Sequence, residues 1–367
     1  MAGTVSNKSL DDVFSAMPTG SLERAILNNL RGINHRQIPG MLPSNRDMPG
    51  LTFFTRPQLN MQRDNLRNVR KLSQLLTNVP TSMQTYIRCM LDPRLVTGVS
   101  FKSSESSNAT TIPAISCPII DNMSAFIPFL TNNTTSQSGW PSISVPTFTS
   151  KPGLYNEAYS MVDGRVVNEE VWDLNVNFRN TRGDPILYMF YVWVLYMSFV
   201  FEGKLVPYLD FITENEIDYN TRIYRITLDY AKRKVTKMAA THASFPVGVP
   251  IGDPFNVSGD QVYSDANQEI GMSFRCHGVD YFDDILVKEF NETVALFNPS
   301  MSSDYRSKDM LEIPFASINS YNHQGYPYID PKTSELKWFI TQKDYTSTSG
   351  KALAAVTEYN SDEETGD

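Results

Sequence analysis

The chain has 367 residues, enough for two domains or for one with substantial extensions. Apolar residues make up 41% of it and aromatics 11%, which excludes global disorder. A net charge of −8 excludes wrapping nucleic acid by phosphate neutralisation, though not a surface past which DNA slides.

In chain order, the first 40 residues hold one short amphipathic helix candidate, about 21–30, in polar surroundings. Pro39, Pro43 and Pro49 then punctuate an extended run ending at Leu51 to Asn60, and Pro57 limits that run to an edge strand or an arm. Helical patterns return over about 65–76 and 82–90. Between 100 and 150 the composition shifts to Ser, Thr, Asn and Pro, which reads as a loop-rich connector with short strands.

An organised block follows. Trp172, Leu174, Val176 and Phe178 alternate with Asp173, Asn175, Asn177 and Arg179, the pattern of a half-buried strand. Residues 186–201 carry no charge; with Asp184 as N-cap, Pro185 in the first turn and Glu202-Gly203 as a stop, they predict a helix of four to five turns, apolar on every face. Such a helix is too short for a bilayer and has to be covered on all sides by protein. Tyr224, Ile226, Leu228 and Tyr230 form a second alternating strand. A basic tip at Lys232-Arg233-Lys234 leads into a returning strand through Val235 and Met238. A last strand alternates Ile270, Met272, Phe274 and Cys276 against polar residues, making a small antiparallel α+β unit. From about 298 the chain reads as extended and aromatic-rich, closed by an acidic tail at 358–367. The expected division is 1–150 as N-terminal arm and loop-rich region, 151–297 as the α+β domain, and 298–367 as an extended C-terminal segment.

Catalytic and metal patterns are missing from the sequence. The three cysteines, Cys89, Cys117 and Cys276, are spaced for neither a disulfide framework nor a zinc site and read as buried free thiols. His35, His242, His277 and His323 are too scattered for a ligand pair. The adjacent carboxylates Glu169-Glu170 and Asp283-Asp284 diverge in either regular conformation and make poor acid/base partners. No catalytic residue, cofactor or metal is therefore expected, and the chain is not read as an enzyme. The basic tip suits an intersubunit salt bridge better than a phosphate contact.

The element order carries a resemblance. The strand Val171 to Arg179 and its turn through Pro185 precede the long apolar helix; the strands Tyr224 to Tyr230 and Val235 to Ala240, the Ala243 to Pro246 turn and the strand Ile270 to Tyr281 follow it. This resembles the tail-tube proteins of contractile-tailed bacteriophages over about 130 residues, with Ala243 to Pro246 similar to the turn before their last strand. The long flanks resemble the tube-initiator or baseplate type, and Phe53 to Asn60 and Gly325 to Pro331 look like segments of large-genome phage virion proteins. The resemblance implies an antiparallel sheet or barrel of tail-tube type with one buried apolar helix and extended N- and C-terminal arms. It also implies a virion subunit, assembled in the host cytoplasm, forming a homo-oligomeric ring in the tube or at its baseplate or neck end. Other tail and baseplate proteins would be its partners, and DNA would pass through the channel without specific binding. Interface candidates on these elements are Trp172, Phe178, Trp193, Arg225, Lys232, Arg233, Lys234, Phe245 and Phe274. Two other readings compete: a receptor- or glycan-binding tail protein, favoured by the aromatic set Tyr321, Tyr326, Tyr328 and Trp338, which is read as exposed, and an envelope-degrading hydrolase, which would need a carboxylate pair at glycosidase separation.

Overall fold

The computed structural model describes residues 48–77, 79–97, 117, 120–121, 123–166, 170–256, 268–321, 325–342 and 344–346. The expected helix at 21–30 and the acidic tail lie outside them. The longer elements run β1 (Met48–Phe54), α1 (Met83–Leu91), α2 (Pro128–Asn133), β2 (Thr134–Ser138), β3 (Thr147–Thr149), β4 (Ser160–Val162), β5 (Val171–Arg179) and α3 (Pro185–Phe201). After these come α4 (Leu209–Glu214), β6 (Ile223–Leu228), β7 (Val235–Pro246), β8 (Glu269–Tyr281), α5 (Ile285–Phe297), β9 (Met310–Glu312), β10 (Tyr326–Ile329) and β11 (Leu336–Thr341).

The alternating strands form one antiparallel sheet of six, in the order β1-β6-β7-β8-β5-β2. Its four inner strands are the four the hydrophobic alternation predicts. On β5 and β8 the apolar sets Leu174, Val176, Phe178 and Ile270, Met272, Phe274, Cys276 are buried, and pairing brings Leu174 opposite Phe274. Both edge strands come from before residue 151, from the run read as an edge strand or arm and from the Ser/Thr-rich connector. The described sheet does not close into a barrel. Between its edges a side-chain hydrogen bond runs from Gln137 Nε2 to Thr52 Oγ1 at 2.6 Å.

Phe53 and Phe54 are neighbours on β1, so their side chains leave opposite faces. Phe54 joins a core with Phe178, Phe274 and the inner face of α3. Phe53 joins a second core with Tyr224, Ile226, Met238 and the α5 residues Leu286, Phe290 and Val294. Thus α5, a helix the apolar pattern did not single out, shares with α3 the work of covering the sheet. The segment from about 298 also folds back: β10, β11 and β9 pair in that order, and Ile329 and Tyr326 enter the second core.

The structure corrects two details of α3. Asp184 is not a side-chain cap: it sits left-handed at φ +51°, and its Oδ1 accepts from Asn180 Nδ2. The end of the helix matches expectation, with Gly203 at φ +71° letting Lys204 N–H reach back to Phe199 O at 2.9 Å. The helix is also not covered all round within one chain. Ile186, Met189, Phe190, Val192, Trp193, Tyr196 and Phe199 are buried, whereas Leu187, Tyr188, Tyr191, Val194 and Leu195 are half-buried and Phe201 is 94% exposed.

Residues 55–77 and 79–94 are tied together and to the segment after α3 through buried polar groups. Asp92 is fully buried and accepts Met61 N–H at 2.9 Å, Arg94 N–H at 3.1 Å and the Tyr208 hydroxyl at 2.7 Å. Burial outweighs these bonds and pushes its pKa up to about 6. A carboxyl whose folded pKa lies above its unfolded one stabilises the fold most when protonated. That stability is lost as pH rises from the ordinary carboxylate range through about 6. Between pH 4 and pH 7 wild type should therefore lose, relative to Asp92→Asn, about 2–3 kcal/mol at roughly 1.4 kcal/mol per pKa unit. Urea unfolding of both proteins at each pH checks this; a difference that stays flat would refute the raised pKa.

Candidate assembly interface

A subunit that packs against others should expose apolar side chains on well-ordered elements. The strand pair β2–β5 supplies one such place. Its register runs from Thr134 opposite Phe178 to Ser138 opposite Asn175, and past it the same two chain segments re-pair as β3 and β4, with Phe148 opposite Met161. Residues 134–166 and 170–179 thus share two paired stretches, a base in the sheet and a tip beyond it. Gly139 marks the departure from the sheet: it has φ +108°, and a Cβ there would lie 2.4 Å from Asp173 O. The turn is held by Gly153 N–H to Glu157 O at 2.8 Å and by Tyr155 N–H to Glu157 Oε2 at 2.8 Å. Nearly every residue of the tip is exposed, including Phe148, Tyr159 and Met161, with Leu154 at 90% and Tyr155 at 87%. Composition predicted short strands in this stretch, but not their projection; the unshielded Leu154-Tyr155 pair beside Pro152-Gly153 was the available signal.

The nine sequence-derived interface candidates separate cleanly. Phe178, Trp193 and Phe274 have no accessible surface and are core residues, with Phe190 within 5.6–6.2 Å of all three rings. They are correct as apolar strand and helix positions and wrong as contact surface, because alternation marks which side faces a core and not which core. Trp172 is half-buried, its ring 5.3 Å from Trp140 and its Nε1 donating to Gly278 O at 3.3 Å. Arg225 reaches across to β1, donating through Nη1 to Gly50 O at 3.3 Å and Thr52 Oγ1 at 3.1 Å; burial lowers its pKa. Phe245 is half-buried, edge-on to Tyr219 at 5.8 Å.

The basic tip between β6 and β7 is exposed but anchored within its own chain. Leu336 N–H donates to Arg233 O at 2.9 Å, Val235 N–H to Ser334 O at 2.8 Å, and the Arg233 guanidinium lies 4.9 Å over Phe315. Arg233 therefore has an intrachain ring partner. The aromatic set behind the glycan-binding reading is not an exposed platform. Tyr326 is buried, Trp338 is half-buried with Phe53 at 6.4 Å, and Tyr328 lies under Arg306 at 3.5 Å; the Tyr321 side chain lies outside the description.

Pairing of β7 with β8 brings together two histidines that are far apart in sequence. His242 and His277 lie 6.4 Å apart, and His242 Nε2 is 2.8 Å from Asp280 Oδ2. Arg222 joins them, 3.8 Å from Asp280 and 2.7 Å from Glu289. Among the described residues no group of three or more His, Cys, Asp or Glu is placed to hold a metal ion. The three cysteines are free and buried, and burial pushes the thiols of Cys89 and Cys276 up to about 12 and about 11. Among the described residues no helix is long and apolar enough to cross a membrane.

A family model described as "Putative phage tail tube protein" matches residues 7–355. The chain belongs to the phage tail tube protein family. Among solved structures, the tube terminating cap of the anti-feeding prophage is 14% identical, with 43% of this chain and 81% of that chain covered and a TM-score of 0.26. The sheath/tube terminator of the PVC extracellular contractile injection system, in its extended state, is 12% identical, with 42% and 86% covered and a TM-score of 0.24. The sheath-tube complex of the same system is 14% identical, with 43% and 82% covered and a TM-score of 0.24. No curated protein matches. As a phage tail tube family member the chain is a structural tail protein.

Proposed function

We propose that this protein is a virion subunit that joins copies of itself into a closed ring, in the tail tube of a contractile tail or at its baseplate or neck end. The exposed hairpin 139–166 carries this reading. A paired, glycine-hinged element whose tip exposes Leu154, Tyr155, Phe148 and Met161 is built to be covered by another protein surface, and a second copy supplies one in every ring. The net charge of −8 suits a channel that DNA traverses without being bound.

The triple substitution Phe148→Ser, Leu154→Ser, Tyr155→Ser tests it. Each side chain is worth about 1.5–3 kcal/mol when buried, so each contact should lose about 4 kcal/mol or more, roughly a thousandfold in association. The variant should keep the wild-type unfolding midpoint and remain monomeric in sedimentation velocity at concentrations where wild type forms rings. Rings as abundant as those of wild type would overturn the reading.

A further inference from the structure

The tip joining β6 to β7 and the segment around α4 lie at opposite ends of strand β6 and carry opposite charge. We propose that the tip of one copy, residues 229–234, docks on residues 209–217 of a second copy, so that copies stack end to end. The proposal rests on the self-assembly reading above and adds to it the axial contact and its chemistry.

The tip is preorganised. Asp229 Oδ1 accepts the N–H groups of Arg233 at 2.8 Å and Lys234 at 3.0 Å, and Asp229 O accepts Lys232 N–H at 2.9 Å. Lys232 is held left-handed at φ +56°, a conformation that a non-glycine residue adopts only where its surroundings impose it. Contacts with Ser334, Leu336 and Phe315 fix the base of the turn. Beyond that base stand the exposed Lys232 and Lys234, beside Tyr230, which is 77% exposed. A rigid aromatic flanked by cations binds with little ordering cost.

The opposite end is its complement. Helix α4 buries none of its residues; Leu209 and Ile212, three apart, share an exposed face, and Ile217 continues it. Asp210, Glu214 and Glu216 surround these side chains. Asp210 is occupied by Arg94 at 2.7 Å, whereas Glu214 and Glu216 are exposed and have no ion-pair partner among the described residues. The six residues of β6, at about 3.3 Å each, hold the two surfaces roughly 20 Å apart, so they cannot meet within one molecule. Complementary patches at the two ends of one strand make a head-to-tail contact, which runs on as an open stack when its rotation does not close a ring. Tyr230 would cover Leu209 and Ile212, and Lys232 and Lys234 would pair with Glu214 and Glu216.

Charge reversal and rescue decide it. Full-length wild type should give stacks of rings in negative stain and fast-sedimenting species that diminish as ionic strength rises. Lys232→Glu with Lys234→Glu should lower the stacked fraction at least tenfold while single rings persist, and Glu214→Lys with Glu216→Lys should do the same. Combining all four substitutions should return stacking to within threefold of wild type, which a misfolded variant would not do. Unchanged stacking in either reversal, or failure of the combination to restore it, would overturn the proposal. So would loss of binding to a 30-base-pair duplex with stacking intact, because the tip would then be a phosphate contact. Wild-type rings that never stack would end this inference alone; wild type that never forms rings would end the self-assembly reading with it.

Discussion

Trp193→Ala is expected to destabilise the protein by about 3–5 kcal/mol, a large fraction of the 5–15 kcal/mol typical of a domain. The indole has no accessible surface, stacks on Phe190 at 6.2 Å with the rings 12° from parallel, and donates Nε1–H to Tyr219 O at 3.1 Å. Its removal opens a cavity beneath α3 and takes the donor from that carbonyl in one step. Phe201→Ala, on the same helix, should cost no more than about 0.5 kcal/mol, because Phe201 is 94% exposed. Urea unfolding at constant m-value measures both. A loss below about 1.5 kcal/mol for Trp193→Ala would show that the site collapses around the smaller side chain.

The contrast within α3 shows where sequence reasoning succeeds and where it stops. A run without charge, with Pro185 at its start and Gly203 at its end, fixes the existence and length of the helix from local chemistry alone. Which face is covered is a tertiary fact. All faces of the run are apolar, so periodicity cannot distinguish Val192 and Trp193, which face the core, from Val194 and Leu195, which only half do. Sequence alone predicts that Val194→Asp abolishes folding or assembly; in the structure Val194 is half-buried, so a carboxylate there can turn to water and the single chain should still fold.

The sheet tells the same story by strand. Inner strands β5, β6, β7 and β8 alternate cleanly and were legible, since each has one face on a core. Edge strand β2 is Thr134 to Ser138, polar throughout, and owes its strand conformation to pairing with β5. Helix α5 carries an amphipathic pattern from Leu286 through Phe290 to Val294 that could have been found. Contacts between segments remote in sequence were not legible: Arg233 on Phe315, and His242 beside Asp280 and His277, are consequences of register. The membership in the tail tube family, by contrast, was readable from element order, which the inner strands and α3 preserve.

Arg56 is the other position where a single change should be severe. It is 3% exposed, and its guanidinium donates to four carbonyls: Met90 O at 3.1 Å through Nε, Cys89 O at 2.6 Å through Nη2, and Ser124 O and Asp121 O at 3.2 and 3.4 Å through Nη1. Burial lowers its pKa to about 10, so it stays a cation at neutral pH. Cys89 and Met90 lie in the last turn of α1, whose carbonyls have no partners within the helix and carry its negative dipole end. The arginine therefore closes α1 and ties it to the strand that precedes residue 57 and to the carbonyls of Asp121 and Ser124. Arg56→Met keeps the volume but takes the guanidinium donors from the buried Cys89 and Met90 carbonyls, at a cost of about 3–5 kcal/mol. Arg56→Lys supplies one shorter cation that cannot reach both ends of the fork, and should cost about half as much. Urea unfolding gives the totals, and hydrogen exchange gives the place: amides of α1 and of 54–61 should lose protection before those of β5 and β8. Equal loss across the sheet, or a total below about 1 kcal/mol, would mean that the guanidinium is not what holds this lobe to the core.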